Sequence, residues 1–175
     1  RDKAILETLF STGLRVSELV KLDRSKLDLD RKELSIIGKG RKARIIFFSD
    51  DAVYWIRRYL TFRTDSWDPL FIRYSRGVDP EQNGEKMRLT QRTIQRIVQK
   101  YSKKAKIIVN TTPHVLRHSF ATDVLINGAD IRAIQEMLGH KTITTTQIYT
   151  NISNKHLKEV FDAFHSETTD QEKAS

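Results

Sequence analysis

Cysteine is absent from this chain of 175 residues. Disulfide bonds, thiolate zinc sites and cysteine nucleophiles are therefore excluded, and the composition agrees with a reducing, cytosolic setting. No signal peptide is visible, and the longest apolar runs, such as residues 45–48 and 107–109, are far shorter than the roughly 20 residues of a membrane-spanning helix. Glycine and proline are scarce as well, with 7 and 3 residues, which is typical of a mainly helical globular protein.

Basic residues outnumber acidic ones, with 31 Lys and Arg against 22 Asp and Glu, so the formal net charge is +9. Such an excess is expected of a protein that binds phosphates, but a merely basic protein has it too, and charge alone does not identify the partner. The chain starts at Arg1 directly in a helical pattern, which indicates a fragment without its amino-terminal part. We expect a single domain over residues 1–165 and a disordered polar tail over residues 166–175.

The spacing of apolar residues predicts helices and one β-hairpin. Two strand-like runs, residues 33–37 and 43–48, flank the basic tip of the hairpin, and residues 70–72 are a candidate for another short strand. Residues 75–88, rich in turn formers, are expected to form a surface loop. Helical segments are predicted over residues 3–12, 16–20, 50–63, 90–106, 113–128, 131–139 and 153–165.

Five short blocks of residues carry the functional information. In chain order they are Thr12-Gly13-Leu14-Arg15-Val16-Ser17-Glu18-Leu19, Gly38-Lys39-Gly40, His114-Val115-Leu116-Arg117-His118, Leu138-Gly139-His140 and Thr145-Thr146-Gln147-Ile148-Tyr149. A histidine such as His114, taken alone, is usually an ordinary core or surface residue of a helix. Together, however, the blocks resemble the tyrosine recombinases, a lambda-integrase-like family, and within it the Xer-type enzymes. The resemblance extends over residues 12–149.

The resemblance implies both a fold and an activity. The implied fold is α+β, mostly helical with a small antiparallel β-sheet, and it normally follows a helical core-binding domain that completes a clamp around DNA. The implied activity is site-specific recombination, in which a tyrosine cuts the DNA and holds the cut 3′ end as a phosphotyrosine. The residues that match the family's catalytic set are Arg15, Lys39, His114, Arg117, His140 and Tyr149.

The chemistry of a phosphodiester explains these residue types. Negative charge grows on the non-bridging oxygens in the transition state, and arginine offers them paired donors that stay charged. By resemblance, Arg15 and Arg117 stabilise that charge and His140 adds a hydrogen bond to the phosphate. Tyr149 needs a base because a tyrosine hydroxyl has a pKa of roughly 10, and His114 is the family's candidate.

Lys39 lies at the predicted hairpin tip, from which we expect it to reach the DNA and protonate the departing 5′-oxygen. A neighbouring basic residue could take this role, and the tip could instead be a solvated turn that only touches backbone phosphates. Further DNA contacts are predicted at Arg41, Lys42, Arg44, Arg92, Arg96 and Lys100. The last three follow one another at intervals of four on one helix face, a pattern that a solvated face also produces.

Glu18 follows Arg15 by one helical turn, where it either orients the guanidinium or forms an exposed charge pair. No cofactor and no metal is expected, because the phosphotyrosine bond stores the energy of the broken phosphodiester. His114 and His118 have the i, i+4 spacing of a metal-binding pair, but the helix lacks the glutamate of the zinc-protease motif and the chain has no cysteine.

The expected partners are double-stranded DNA and other recombinase protomers in a tetrameric synapse, in the cytoplasm at the nucleoid and without a membrane. Residues 153–165 carry a continuous apolar ridge, which docks either on a neighbouring protomer or on its own domain.

Two rival interpretations are a type IB topoisomerase, which uses the same tyrosine chemistry on one strand, and a DNA-binding module without catalysis. The block around His114 favours the recombinase over the topoisomerase.

Overall fold

The computed structural model describes residues 1–37, 43–74 and 83–139. These ranges contain six α-helices, two short 3-10 helices and one two-stranded antiparallel sheet, so the predicted α+β fold, mostly helical with a small antiparallel sheet, is confirmed. The α-helices are α1 (Asp2–Thr12), α2 (Val16–Leu19), α3 (Asp50–Thr61), α4 (Gln91–Lys104), α5 (Pro113–Ile126) and α6 (Ile131–Leu138). The strands are β1 (Glu33–Ile37) and β2 (Ala43–Phe47), and the 3-10 helices are Arg24–Lys26 and Glu85–Met87.

The chain divides into two compact units. The first comprises residues 1–120 and 137–139, and it contains α1 to α4, the hairpin and the first part of α5. The described part of the second unit comprises residues 121–136, in which Ala121 and Ile134 are buried. The predicted domain limits and the predicted tail reach beyond the described residues and stay predictions.

One hydrophobic core holds the first unit together, because apolar stripes of its helices face one another. α1 packs against α3, and both α4 and β2 also contact α1. The Ser49 hydroxyl accepts the Ala52 N–H at the start of α3, and the Thr90 hydroxyl accepts the Thr93 N–H at the start of α4, each at 3.2 Å. Fully buried members of the core are Ile5, Leu9, Leu14, Leu19, Ile56, Leu70, Ile94 and Val98.

The hairpin joins this core through one of its faces. The register of β1 and β2 places Glu33 opposite Phe47, and the side chains of Leu34, Ile36 and Ile46 are buried. Buried and exposed residues alternate along β1, as expected of a strand with one face on the core. The predicted basic tip, residues 38–42, lies outside the described residues.

Two predicted elements differ from the structure. Residues 70–72 form no strand: the Leu70 N–H donates to the Leu22 carbonyl at 2.8 Å, and Ile72 forms an isolated bridge with Arg88. Their apolar run reflects burial in the core rather than a place in a sheet. The described end of the predicted surface loop contains the 3-10 helix Glu85–Met87, whose Met87 side chain is buried.

Candidate active site

A sharp turn between α1 and α2 precedes Arg15. Gly13 ends α1 in the left-handed conformation with φ of 59°, and its N–H donates to the Leu9 carbonyl at 3.2 Å. A Cβ at this position would lie 2.5 Å from Phe120 Cδ1, so both backbone conformation and space require glycine. Arg15 then begins α2 from an extended backbone. The turn thus fixes where the Arg15 side chain starts.

Arg117 lies on α5 and is only 5% exposed. Its Nη1 donates to the Gly13 carbonyl at 2.6 Å, and its Nη2 donates to the Leu138 carbonyl at 2.7 Å. One guanidinium therefore joins the α1–α2 turn, α5 and the end of α6. Buried carbonyls need such donors, so Arg117 stabilises the fold in addition to bringing a permanent positive charge.

The carboxy-terminal turn of α6 accepts hydrogen bonds from both predicted phosphate-binding arginines. Arg15 Nη2 donates to the Gly139 carbonyl at 3.4 Å, next to the Leu138 carbonyl that Arg117 binds. Carbonyls at the end of a helix carry partial negative charge, which stabilises nearby cations. The structure thus brings Arg15 and Arg117 to the same helix end, and the next residue in the chain is His140.

Glu18 binds Arg15 twice. The Arg15 backbone N–H donates to Glu18 Oε2 at 2.8 Å, and Arg15 Nη1 donates to Oε1 at 3.2 Å. The Glu18 side chain is 13% exposed, so this contact differs from an exposed charge pair. Burial raises the pKa of Glu18, but hydrogen bonds from Arg44 and from the Arg15 backbone outweigh burial, and the pKa stays below its ordinary value. Glu18 is therefore an ionised carboxylate that accepts hydrogen bonds from Arg15, and its role in orienting the guanidinium stays a prediction.

Arg44, on β2, is the second partner of Glu18. Its Nη1 and Nη2 donate to the two Glu18 carboxylate oxygens at 3.0 and 2.8 Å, and its Nε donates to the Met137 carbonyl at 2.9 Å. The Arg44 side chain is only 10% exposed. These contacts engage the Arg44 guanidinium within the protein, and the phosphate contact that we predicted for Arg44 from the sequence stays a prediction.

His114 and His118 touch one another on α5. Their Nε2 atoms lie 2.8 Å apart and their ring planes meet at 84°. One ring must donate and the other accept in such a contact, so the two rings form one hydrogen bond. Burial lowers the pKa of His118, and the charges of His114 and Arg117 act in the same direction. The residue His114 is exposed, and its predicted role as the base stays a prediction.

The basic stripe on α4, which consists of Arg92, Arg96 and Lys100, is exposed along its whole length. Ile94 and Val98 on the same helix are buried in the core, so the stripe lies on a different face of α4. Exposure is compatible with contacts to DNA phosphates and with a solvated face. The predicted phosphate contacts of the stripe stay a prediction.

A cleft of about 720 Å³ lies beside Arg15. Ser17 and Glu18 of α2 line this cleft together with Lys21, which follows the helix, and β1 lines it as well. Lys21 is exposed and brings a positive charge to the lining of this cleft, a contribution that sequence reasoning missed. The available signal was the position of this basic residue six places after Arg15, just beyond α2.

Five predicted site residues lie outside the described residues, namely Lys39, Arg41, Lys42, His140 and Tyr149. Their positions and roles stay predictions.

Within the described ranges, no group of three or more His, Cys, Asp or Glu side chains is arranged to hold a metal ion. Among the helices of these same ranges, none has both the length and the apolar character needed to cross a membrane.

Comparison with known proteins matches residues 1–156 to the phage integrase family. The chain is 42% identical over 174 residues to the tyrosine recombinase XerC of Thermodesulfovibrio yellowstonii, an alignment that covers 94% of this chain and 54% of that protein. The crystal structure of the XerA recombinase is similar with a TM-score of 0.76 and 38% identity, over 92% of this chain and 57% of that one.

A second similar structure contains a substrate. The XerH site-specific recombinase bound to its difH substrate, in a pre-cleavage complex, matches with a TM-score of 0.68 and 25% identity, over 86% of this chain and 42% of that one. The chain spans about half the length of the curated relatives it matches.

Proposed function

The chain belongs to the phage integrase family, and we propose that it is the catalytic part of a site-specific tyrosine recombinase of the Xer type. The observation that carries the proposal is the convergence of Arg15 and Arg117 on the carboxy-terminal turn of α6, directly before His140. Two permanently charged guanidinium groups at one place suit a phosphate, because each offers paired donors to its oxygens. Similarity to XerC and XerA supports the same activity.

In the proposed reaction the Tyr149 hydroxyl attacks the scissile phosphorus, a 3′-phosphotyrosine bond forms, and the bond from phosphorus to the 5′-oxygen breaks. His114 accepts the tyrosine proton, and Lys39 gives a proton to the 5′-oxygen. Arg15 and Arg117 stabilise the negative charge that grows on the non-bridging oxygens. The 5′-hydroxyl of a second site reverses the steps, so the exchange consumes no ATP.

Double-stranded DNA is the proposed substrate. The net charge of +9 supports this choice, and so does the similarity to XerH with its bound difH substrate. We further propose that Arg41, Lys42 and the basic stripe on α4 contact backbone phosphates, since such contacts supply most of the affinity of a protein for DNA. The protein then acts where chromosomal DNA is found, in the cytoplasm at the nucleoid.

Protomers are proposed to assemble into a tetrameric synapse through residues 153–165. Leu157, Val160, Phe161 and Phe164 follow helical spacing, so in a helix they make one apolar ridge that requires a partner surface. Deletion of residues 153–175 tests this docking: single-site DNA binding should persist, while synapsis and cleavage should be lost. Normal synapsis after the deletion would refute docking in trans, and unfolding of the shortened chain would place the ridge in its own core.

A suicide substrate tests the proposed activity. The chain is incubated in EDTA with a nicked duplex that carries an Xer-type recombination site, and the products are separated on a denaturing gel. A covalent complex together with strand transfer into a second site is the expected result. Covalent complex with relaxation of plasmids that lack the site would indicate a topoisomerase. DNA binding without any covalent complex would indicate a DNA-binding module without catalysis.

A further inference from the structure

We propose that Arg44 is a positioning residue of the phosphate-binding site, acting on Arg15 through Glu18 and on the end of α6 through Met137. The inference rests on the proposed function, because it names a residue on which the action of Arg15 depends. Arg44 itself is nearly buried and its guanidinium donates three hydrogen bonds within the protein, so it acts through other groups and not on the substrate.

The first contact to consider is the paired one with the Glu18 carboxylate. Arg44 donates one N–H to each carboxylate oxygen, and Arg15 donates its side-chain Nη1 to Oε1 and its backbone N–H to Oε2. Four hydrogen bonds thus fix the orientation of one carboxylate. A paired arginine contact holds a carboxylate in one plane, which lysine, as a point charge, does not do. Without Arg44, Glu18 keeps only its bonds to Arg15 and loses its fixed plane.

The balance of charge leads to the same conclusion. Glu18 carries one negative charge between two guanidinium groups, and Arg44 contributes the larger share of the hydrogen bonding that lowers the pKa of Glu18. If Arg44 is removed, the carboxylate pairs with Arg15 alone. That exclusive pair neutralises the charge which Arg15 is proposed to offer to the phosphate. Arg44 therefore leaves Arg15 available to the phosphate while Glu18 still orients it.

The end of α6 is the second place where Arg44 acts. Its Nε binds the Met137 carbonyl, one residue before the Leu138 carbonyl bound by Arg117. Gly139 adopts a left-handed conformation with φ of 64°, and a Cβ there would lie 3.1 Å from Arg44 Nη1. The absence of a side chain at Gly139 lets the guanidinium approach the last turn of α6. Arg44 thus joins β2, α2 and the turn that leads into His140.

The test is a double-mutant cycle in which the cleavage rate is measured on two substrates. Cleavage is measured for the wild type, Arg44→Met, Arg15→Ala and the double variant, on a suicide substrate with a natural scissile phosphate. We expect Arg44→Met alone to lose about 10- to 100-fold in cleavage, the range that corresponds to one charge-assisted hydrogen bond. In the Arg15→Ala background, Arg44→Met should cost clearly less than in the wild type, because only its contact with the end of α6 is then left to lose.

The second substrate carries a methylphosphonate at the scissile position. One non-bridging oxygen is replaced by a methyl group, so the scissile group is neutral in the ground state and Arg15 has one negative charge fewer to balance in the transition state. The loss caused by Arg44→Met should shrink on this substrate, as should the loss caused by Arg15→Ala. A defect that arises only from lower stability would be equal on both substrates.

Arg88→Met is the matched control, because the Arg88 side chain is also mostly buried and its guanidinium is also hydrogen bonded to other residues of the protein. Its guanidinium donates to Asp23, to Glu85 and to the Val20 and Leu22 carbonyls. This variant should lose stability, as measured by its urea midpoint, with equal effects on the two substrates. If Arg44→Met fails to fold, the same cycle is run with Arg44→Lys, which keeps a positive charge beside Glu18.

The outcomes separate the inference from the proposed function. Independent, additive losses in the double variant overturn the inference, and so does a loss of equal size on both substrates. Absence of any covalent complex with the wild type on the natural phosphate overturns the proposed function instead.

Discussion

Substitution of Arg117 tests how one side chain serves both the fold and the proposed reaction. Arg117 is 5% exposed and supplies hydrogen bonds to the Gly13 and Leu138 carbonyls. Arg117→Ala leaves both carbonyls without this donor. Each buried group that loses its partner lowers the free energy of unfolding by about 1–3 kcal/mol. The expected loss of roughly 2–6 kcal/mol is comparable to the total stability of a small domain, about 5–15 kcal/mol.

The effect on cleavage adds to this loss of stability. Removal of one donor to a developing oxyanion costs about 3–4 kcal/mol, which corresponds to roughly 10²- to 10³-fold in rate. Arg117→Lys separates the two effects, because lysine keeps a positive charge and one hydrogen-bond donor position but lacks the paired geometry. We expect the lysine variant to fold with reduced stability. Its cleavage rate should still fall by more than about 10-fold, up to the loss expected for removal of one donor.

The assay measures urea unfolding and single-turnover formation of the covalent complex at a temperature where every variant is folded. Arg63→Lys is the control, because the Arg63 side chain is fully buried and donates to the Pro69 and Leu70 carbonyls at 2.7 and 2.9 Å, away from the site. It should lose stability without a change in the cleavage rate of the folded protein. Wild-type cleavage by folded Arg117→Lys and Arg117→Ala would show that Arg117 is structural only.

Two further predictions concern DNA binding and pH. Replacing the three residues of the basic stripe on α4 (Arg92, Arg96 and Lys100) by glutamine should reduce the slope of log affinity against log salt concentration by about 2–3, near 0.9 for each lost phosphate contact. An unchanged slope would show that the stripe is a solvated face without phosphate contacts. Burial and the charges of His114 and Arg117 lower the pKa of His118, so the folded state binds fewer protons there than the unfolded state. The urea midpoint should therefore be highest above the ordinary pKa of 6.5 and decline as pH falls below it, and His118→Gln should flatten that decline. An identical decline in the variant would assign the pH dependence to other groups.

Local signals predicted the ends of most elements. Gly13, Gly128 and Gly139 all have positive φ at or just after the predicted ends of helices, and Ser49 and Thr90 cap the helices that were expected to start there. These features depend on a few neighbouring residues, so the sequence is sufficient to find them. The resemblance to a known family similarly identified Arg15 and Arg117, which the structure brings to one helix end.

Long-range contacts account for what sequence reasoning missed. The burial of residues 70–72 depends on core packing, and a short apolar run is compatible with both a strand and a buried irregular segment. Arg44 was predicted to contact DNA, a prediction that the structure does not test, but its partners within the protein were not predicted. Its partners Glu18 and Met137 are 26 and 93 residues away in the chain, and nothing in the local pattern of β2 indicates them.

The most direct test of the account concerns Tyr149. Tyr149→Phe removes one oxygen and no charge at neutral pH, so DNA affinity in a gel-shift assay should be unchanged, whereas the covalent complex on the suicide substrate should disappear. Mass spectrometry of the wild-type complex after proteolysis should find the nucleotide adduct on the peptide that contains Tyr149. A covalent complex that persists in the phenylalanine variant, or an adduct mapped to another residue, would contradict the assignment of Tyr149 as the nucleophile.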